Sequence, residues 1–175
     1  MDRLWSPWRL QYVTGTGEAR GCVFCEAPAS PGADALVLHR GRGCYVILNL
    51  YPYNSGHLMV VPNRHIATLS ATTPEERCEM MDLTQLAEQA LTEAYKPQGL
   101  NVGMNLGRSA GAGIVDHIHV HVVPRWNGDT NFMTVVGDVR VLPEDIAQTA
   151  QRLREEFARI AQDQETEDRR QKTEG

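Results

Sequence analysis

Apolar residues in this chain fall into short runs broken by turn-forming residues, plus two longer stretches at helical spacing. Leu36-Val37-Leu38-His39 and Cys44 to Leu50 predict two strands joined through Arg40-Gly41-Arg42-Gly43 as a hairpin. Tyr51 to Gly56 is a turn, and His57 to Val61 is a third strand stopped by Pro62. Thr72 or Thr73 then caps a helix whose first turn holds Pro74, Glu75 and Glu76. Met80, Met81, Leu83, Leu86, Ala87, Ala90, Leu91 and Ala94 recur along it as one apolar stripe, which ends before Pro97. Leu100 to Leu106 reads as a strand. A small-residue loop, Gly107 to Gly113, leads into the next. Met133 to Val136 is apolar, and Pro143 or Glu144 starts a helix carrying Ile146, Ala150, Leu153, Phe157 and Ile160 at helical intervals. Short strands with one long middle helix and one C-terminal helix predict an α+β domain.

The strand after the glycine loop carries the chemistry. His117-Ile118-His119-Val120-His121-Val122-Val123 alternates imidazole with aliphatic side chains, and successive strand residues point to opposite faces. The three imidazoles are thus expected on one face, roughly 6–7 Å apart along the strand. Two chemistries use such a cluster: metal binding by neutral nitrogens, or attack by one imidazole while its neighbours fix its tautomer. The preceding loop favours the second. Gly107, Arg108, Ser109, Gly111 and Gly113 can bring backbone amides close to an anion, although a plain hairpin turn fits the loop alone equally well.

Composition sets limits on partners. The chain has 175 residues, 42% hydrophobic and 22% charged, which suits one domain with its own core. A formal charge of −5 gives no electrostatic case for nucleic-acid binding, though one pocket can still take a small nucleotide. No stretch is long and apolar enough for a membrane span, and the N-terminus lacks the order of a signal peptide, so a cytoplasmic protein is expected. Cys22 and Cys25 have the spacing of half a zinc site, whereas Cys44 and Cys78 are expected to be packing residues. His39 is expected at the surface. Leu4-Trp5-Ser6-Pro7-Trp8-Arg9 is an aromatic anchor that packs on the core or touches substrate.

The triad segment resembles the signature of the histidine triad (HIT) superfamily of nucleotide hydrolases and transferases. The likeness extends over Asn49, Gly56-His57-Leu58-Met59-Val60-Val61-Pro62 and Asn63-Arg64-His65-Ile66. With the tryptophan segment, Asn49 to Tyr53 and Pro124-Arg125-Trp126, it is most similar to the bacterial diadenosine tetraphosphate hydrolase or phosphorylase (Fhit-like) branch. The resemblance implies an antiparallel sheet of about five strands and a homodimer whose sheets join. It implies that His119 attacks the α-phosphate to form a nucleotidyl-histidine, with His121 bonding phosphate or protonating the leaving group and the His117 carbonyl holding the His119 tautomer. By the same resemblance Asn49 touches ribose, and Ile47 and Met59 line a purine pocket, unless they are ordinary core. Asn105, Gly107, Ser109 and Gly113 hold phosphate oxygens, and His57 is substrate-binding or supports the site from behind.

Gly113 and Ile114 occupy positions where many relatives carry a hydrogen-bonding side chain, which leaves water or phosphate open as second acceptor. Zinc-bearing relatives join a Cys-x-x-Cys pair to two histidines, matched here by Cys22, Cys25, His65 and His117, which implies a closed structural zinc and no organic cofactor. The expected organisation is an anchor segment 1–21, a HIT domain 22–137, an extension 138–162 and a charged, disordered tail 163–175. A phosphoramidate hydrolase, a non-catalytic nucleotide sensor and a three-histidine metalloenzyme are the alternatives.

Overall fold

The computed structural model describes residues 21–30, 32, 34–129 and 144–174. The expected tryptophan anchor and the apolar Met133 to Val136 run lie outside them. A short helix α1 (Val23–Glu26) precedes the hairpin of β1 (Val37–Arg40) and β2 (Cys44–Leu48). Then follow β3 (Leu58–Pro62), the long helix α2 (Pro74–Tyr95), β4 (Gly99–Gly103), β5 (Val120–Arg125) and helix α3 (Ile146–Glu174). The five strands form one antiparallel sheet in the order β1-β2-β3-β5-β4. This is the expected α+β architecture.

Strand alternation sorts the sheet into two faces. Val46, Leu48, Leu58, Val60, Val120 and Val122 point to the helical side, where α2 contributes Met80, Leu83, Ala87 and Leu91 and α3 contributes Leu153 and Phe157. Each such fully buried side chain contributes roughly 1.5–3 kcal/mol against the entropy of ordering it. Tyr45, Ile47, Met59 and Val61 point the other way, toward Phe24 and Ala27. Ile47 pairs with Met59, Met59 with His121, and His121 with Gly103, so the second face carries a row that runs straight across four strands.

Helix α2 starts where its capping chemistry dictates. Thr73 accepts from the Glu76 amide while the Glu76 carboxylate accepts from the Thr73 amide, and Pro74 fills the first turn. It ends at Lys96 in a left-handed conformation, just before Pro97.

Six local expectations are corrected. Met81 (58% exposed) and Cys78 lie on the solvent side of α2, because the core-facing stripe is narrower than the apolar content suggested. His39 is half-buried and stacks on Phe157, its ring centroid 5.8 Å away, because α3 covers the edge strand β1. The strand after α2 stops at Gly103, and Leu106 is exposed. The last helix begins at Ile146, where the Asp145 carboxylate accepts from the amides of Ala147 and Gln148. It continues to Glu174, so the charged tail is helical: no glycine or proline interrupts Gln162 to Glu174, and Arg159 pairs with Asp163 one turn on.

Candidate active site

His119 and His121 sit on the sheet face opposite α2, their rings perpendicular with centroids 4.7 Å apart. They lean together, closer than strand spacing alone predicts. Regular pairing starts only at Val120, so His117 and His119 belong to the irregular lead-in of β5. The three rings do not act as one array: His117 turns toward the cysteine pair.

Partners fix the proton positions. His119 Nδ1 is 2.9 Å from the His117 carbonyl, which can only accept. Nδ1 therefore carries the proton, and Nε2 keeps its lone pair. Burial lowers the His119 pKa against that favourable hydrogen bond, keeping the ring neutral.

Behind His121 stands His57, fully buried, with its Nε2 2.9 Å from His121 Nδ1. The Tyr53 amide donates to His57 Nδ1 at 3.1 Å. Asn49 Nδ2 approaches the same nitrogen at 3.3 Å, while Asn49 Oδ1 accepts from the Tyr51 amide. His57 Nδ1 is thus an acceptor, so its proton rides on Nε2 and is donated to His121 Nδ1. Neutral His121 in turn carries its own proton on Nε2. Burial, helped by the other imidazoles, pushes His57 down to about 3. Burial with His119 nearby pushes His121 to about 4.

A cavity of about 530 Å³ opens in front of these rings. Ile47, Met59, Phe24 and Leu36 form its apolar wall, Asn49, Tyr51 and Tyr53 one rim, and Arg108 with Gly111 to Val115 the other. Its size suits a nucleoside with phosphate. A second hollow of about 430 Å³, lined by Asn101, Asn105 and Arg125 among others, meets the first at Tyr53 and His121.

On the far side of His119 four donors converge. Cys22, Cys25, His65 and His117 place their ligand atoms within 4.8 Å of one another. Cys22 Sγ lies 3.2 Å and Cys25 Sγ 3.6 Å from His117 Nδ1, and Cys25 Sγ lies 3.4 Å from His65 Nδ1. A tetrahedral ion with bonds of about 2.3 Å to sulfur and about 2.0 Å to nitrogen separates such donors by about 3.6 Å. The set fits. His117 Nε2 donates to the Pro62 carbonyl at 2.8 Å, which leaves Nδ1 unprotonated toward the cysteines. The His65 loop is held independently: Arg64 pairs with Glu76 at 2.8 Å, and the Ile118 amide donates to the Ile66 carbonyl.

The HIT domain family profile matches residues 31–128. The chain belongs to the HIT family. The HIT chain is 42% identical over 167 residues to an AP-4-A phosphorylase of Mycobacterium tuberculosis, covering 91% of this chain and 86% of that protein. It is 30% identical over 93 residues to the bis(5'-nucleosyl)-tetraphosphatase of Schizosaccharomyces pombe, covering 53% of this chain and 50% of that one. Among solved structures it is similar to a zinc-bound histidine triad family protein from Mycobacterium smegmatis. That likeness has a TM-score of 0.66 and 33% identity, and spans 82% of this chain and 97% of that one.

Apart from the four donors Cys22, Cys25, His65 and His117, the predicted site residues of this HIT domain divide into three groups. His119, His121, Asn49, Ile47, Met59 and Gly113 line the main cavity. Asn105 lines the neighbouring hollow. Gly107 and Ser109 line none of the cavities described, and His57 stands entirely behind His121. Two further residues, Phe24 and Tyr45, belong to the site without any sequence expectation placing them there. Phe24 touches both His117 and His119, and its carbonyl accepts from the buried Tyr45 hydroxyl at 2.6 Å. An aromatic residue inside a Cys-x-x-Cys pair was the only signal available.

Proposed function

We propose that this chain cleaves dinucleoside polyphosphates at the α-phosphate through a covalent nucleotidyl-histidine. One observation carries the reading: His119 is neutral, donates from Nδ1 to a backbone carbonyl, and keeps Nε2 free beside a nucleotide-sized cavity. Nε2 attacks the α-phosphorus, the bond to the bridging oxygen breaks, and the remaining polyphosphate leaves. His121 Nε2–H hydrogen-bonds the phosphoryl or leaving oxygen, acting in the resting enzyme as a neutral donor. A second acceptor then cleaves the phosphorus–nitrogen bond and frees His119. The AP-4-A phosphorylase relative supports inorganic phosphate in that role.

In the same reading Asn49, Ile47 and Met59 meet the nucleoside, and Gly113 with its neighbours meets the phosphates. Asn105 meets the leaving portion in the adjoining hollow. Zinc is the ion that Cys22, Cys25, His65 and His117 hold, supported by the tetrahedral fit and the zinc-bound relative. When bound it supplies a fixed structural clip, closed to substrate.

A homodimer joined through β4 is supported by that strand's position at the sheet edge with Val102 52% exposed. A cytoplasmic location agrees with the lack, among the described residues, of any helix long and apolar enough to cross a membrane.

The test is turnover of diadenosine tetraphosphate with and without inorganic phosphate. ADP plus ATP appearing only with phosphate is the expected result. AMP plus ATP without phosphate makes water the acceptor. No turnover of this compound or of an adenosine phosphoramidate leaves nucleotide sensing as the function and overturns the proposal.

A further inference from the structure

Phe24 lies between the two cysteines of the donor cluster, yet its ring sits at the nucleophile. Its centroid is 4.9 Å from that of His119 and 5.5 Å from that of His117, the latter edge to face. It is 5% exposed and forms part of the cavity wall. Its carbonyl accepts from the Tyr45 hydroxyl, and it is flanked by Cys22 and Cys25, whose thiols approach His117 and His65. We infer that Phe24 is a positioning residue, which carries the order of the Cys22-Cys25-His65-His117 cluster to the His119 ring.

The need for such a residue follows from the hydrogen bonds. Among the described residues, the His119 ring is tethered at one point only, from Nδ1 to the His117 carbonyl. A single bond fixes which nitrogen is bare but lets the ring swing about it. The angle of approach to phosphorus depends on that swing, and the Phe24 ring, tilted 51° to His119, limits it together with the perpendicular His121 ring. Because Phe24 is carried by α1, a four-residue helix too short to be stable alone, its position depends on the cysteines at and beside that helix being held. The cluster therefore reaches His119 by two routes: the His117 main chain and the Phe24 ring.

This inference rests on His119 being the nucleophile, and its test separates the two. In zinc-loaded full-length protein, Phe24→Leu keeps the apolar bulk and loses the flat ring. Single-turnover nucleotidylation by diadenosine tetraphosphate should slow about ten- to a hundred-fold, the scale of a misaligned reacting group. AMP affinity should change less than about threefold, the mark of an interaction made chiefly in the transition state. Zinc content should not change, and Phe24→Tyr should recover most of the rate. Stripping the metal should cost wild type a similar factor and Phe24→Leu little more, since both act on one ring.

An unchanged rate in Phe24→Leu, or a loss confined to affinity, overturns the inference. So does a metal effect that simply multiplies with the substitution. Histidine ring ¹H–¹⁵N spectra of the resting protein give a readout independent of substrate. His119 signals should broaden or shift in Phe24→Leu while those of His57 and His121 hold. Unmoved His119 signals also overturn it, even if no polyphosphate is turned over. If Phe24→Leu loses zinc, Phe24→Met provides the same comparison with a more adaptable side chain.

Discussion

Two clusters share the histidine-bearing segment and use its imidazoles in opposite ways. At His117 the ring is walled in by two thiols and a second imidazole, and its free nitrogen is pinned to the Pro62 carbonyl. At His119 and His121 the partners are a carbonyl and another histidine, and the remaining nitrogens face a cavity. Residue type is the same in both; the difference lies in what occupies the second nitrogen and in what the first one faces. Soft sulfur beside His117 suits a closed metal site, while a carbonyl that takes the His119 proton suits a lone pair held ready for attack, and a histidine that donates to His121 leaves that ring an N–H to offer.

That contrast can be broken residue by residue. His119→Ala should lower turnover by more than about 10⁴-fold while the metal content of the purified protein stays unchanged. Loss of metal in this variant would merge the two clusters into one. Cys22→Ser should release the ion and lower folding stability by more than about 4 kcal/mol, read by denaturant unfolding with and without chelator. If the stability were unaffected, the cluster would not be a structural clip.

His57→Asn removes the donor that fixes the His121 tautomer and should cut kcat by roughly a hundred-fold with little change in KM. Steady-state kinetics check it, and a change in KM alone would put His57 in contact with substrate instead. A pH titration sharpens the same point. His57 and His121 titrate near 3 and 4 in the folded protein, against about 6.5 in an unfolded chain. Above pH 6.5 neither state holds these protons. As pH falls, the unfolded chain takes them up first, so stability declines from about pH 6.5 toward pH 4, by roughly 1 kcal/mol per pH unit and ring. Urea midpoints across that window should show a shallower slope in His57→Asn. The smallest effect is expected farthest from both clusters: Met81→Lys on exposed α2 should shift stability by less than about 0.5 kcal/mol.

Much of this was legible in the sequence, because strand period and capping chemistry are local. The alternation at His117 to Val123 placed His119 and His121 on the pocket face, and Thr72 or Thr73 followed by Pro74, Glu75 and Glu76 announced the start of α2. The Cys-x-x-Cys pair and two histidines were matched through the family resemblance, and they do converge. What remained hidden depends on contacts distant in sequence. Nothing local to Phe24 shows that its ring meets His119, 95 positions later. His57 and His121 are adjacent because Leu58 pairs with Val122 and Met59 with His121, a register fixed only once β3 and β5 meet. Met81 misled because methionine is apolar by composition and indifferent by position, and His39 because the covering helix arrives from the far end of the chain.

The line from the Tyr53 amide through His57 to His121 has a closed end. A main-chain N–H occupies the last acceptor, and His57 has no exposed surface. His57 can therefore hold its proton against His121 but cannot draw a replacement from bulk water. Any proton exchanged at His121 Nε2 must therefore pass through the cavity or the hollow beside it, past whatever nucleotide fills them. With nucleotide filling that space, the His121 proton is shut away from bulk water, so its exchange with solvent waits on the departure of the product.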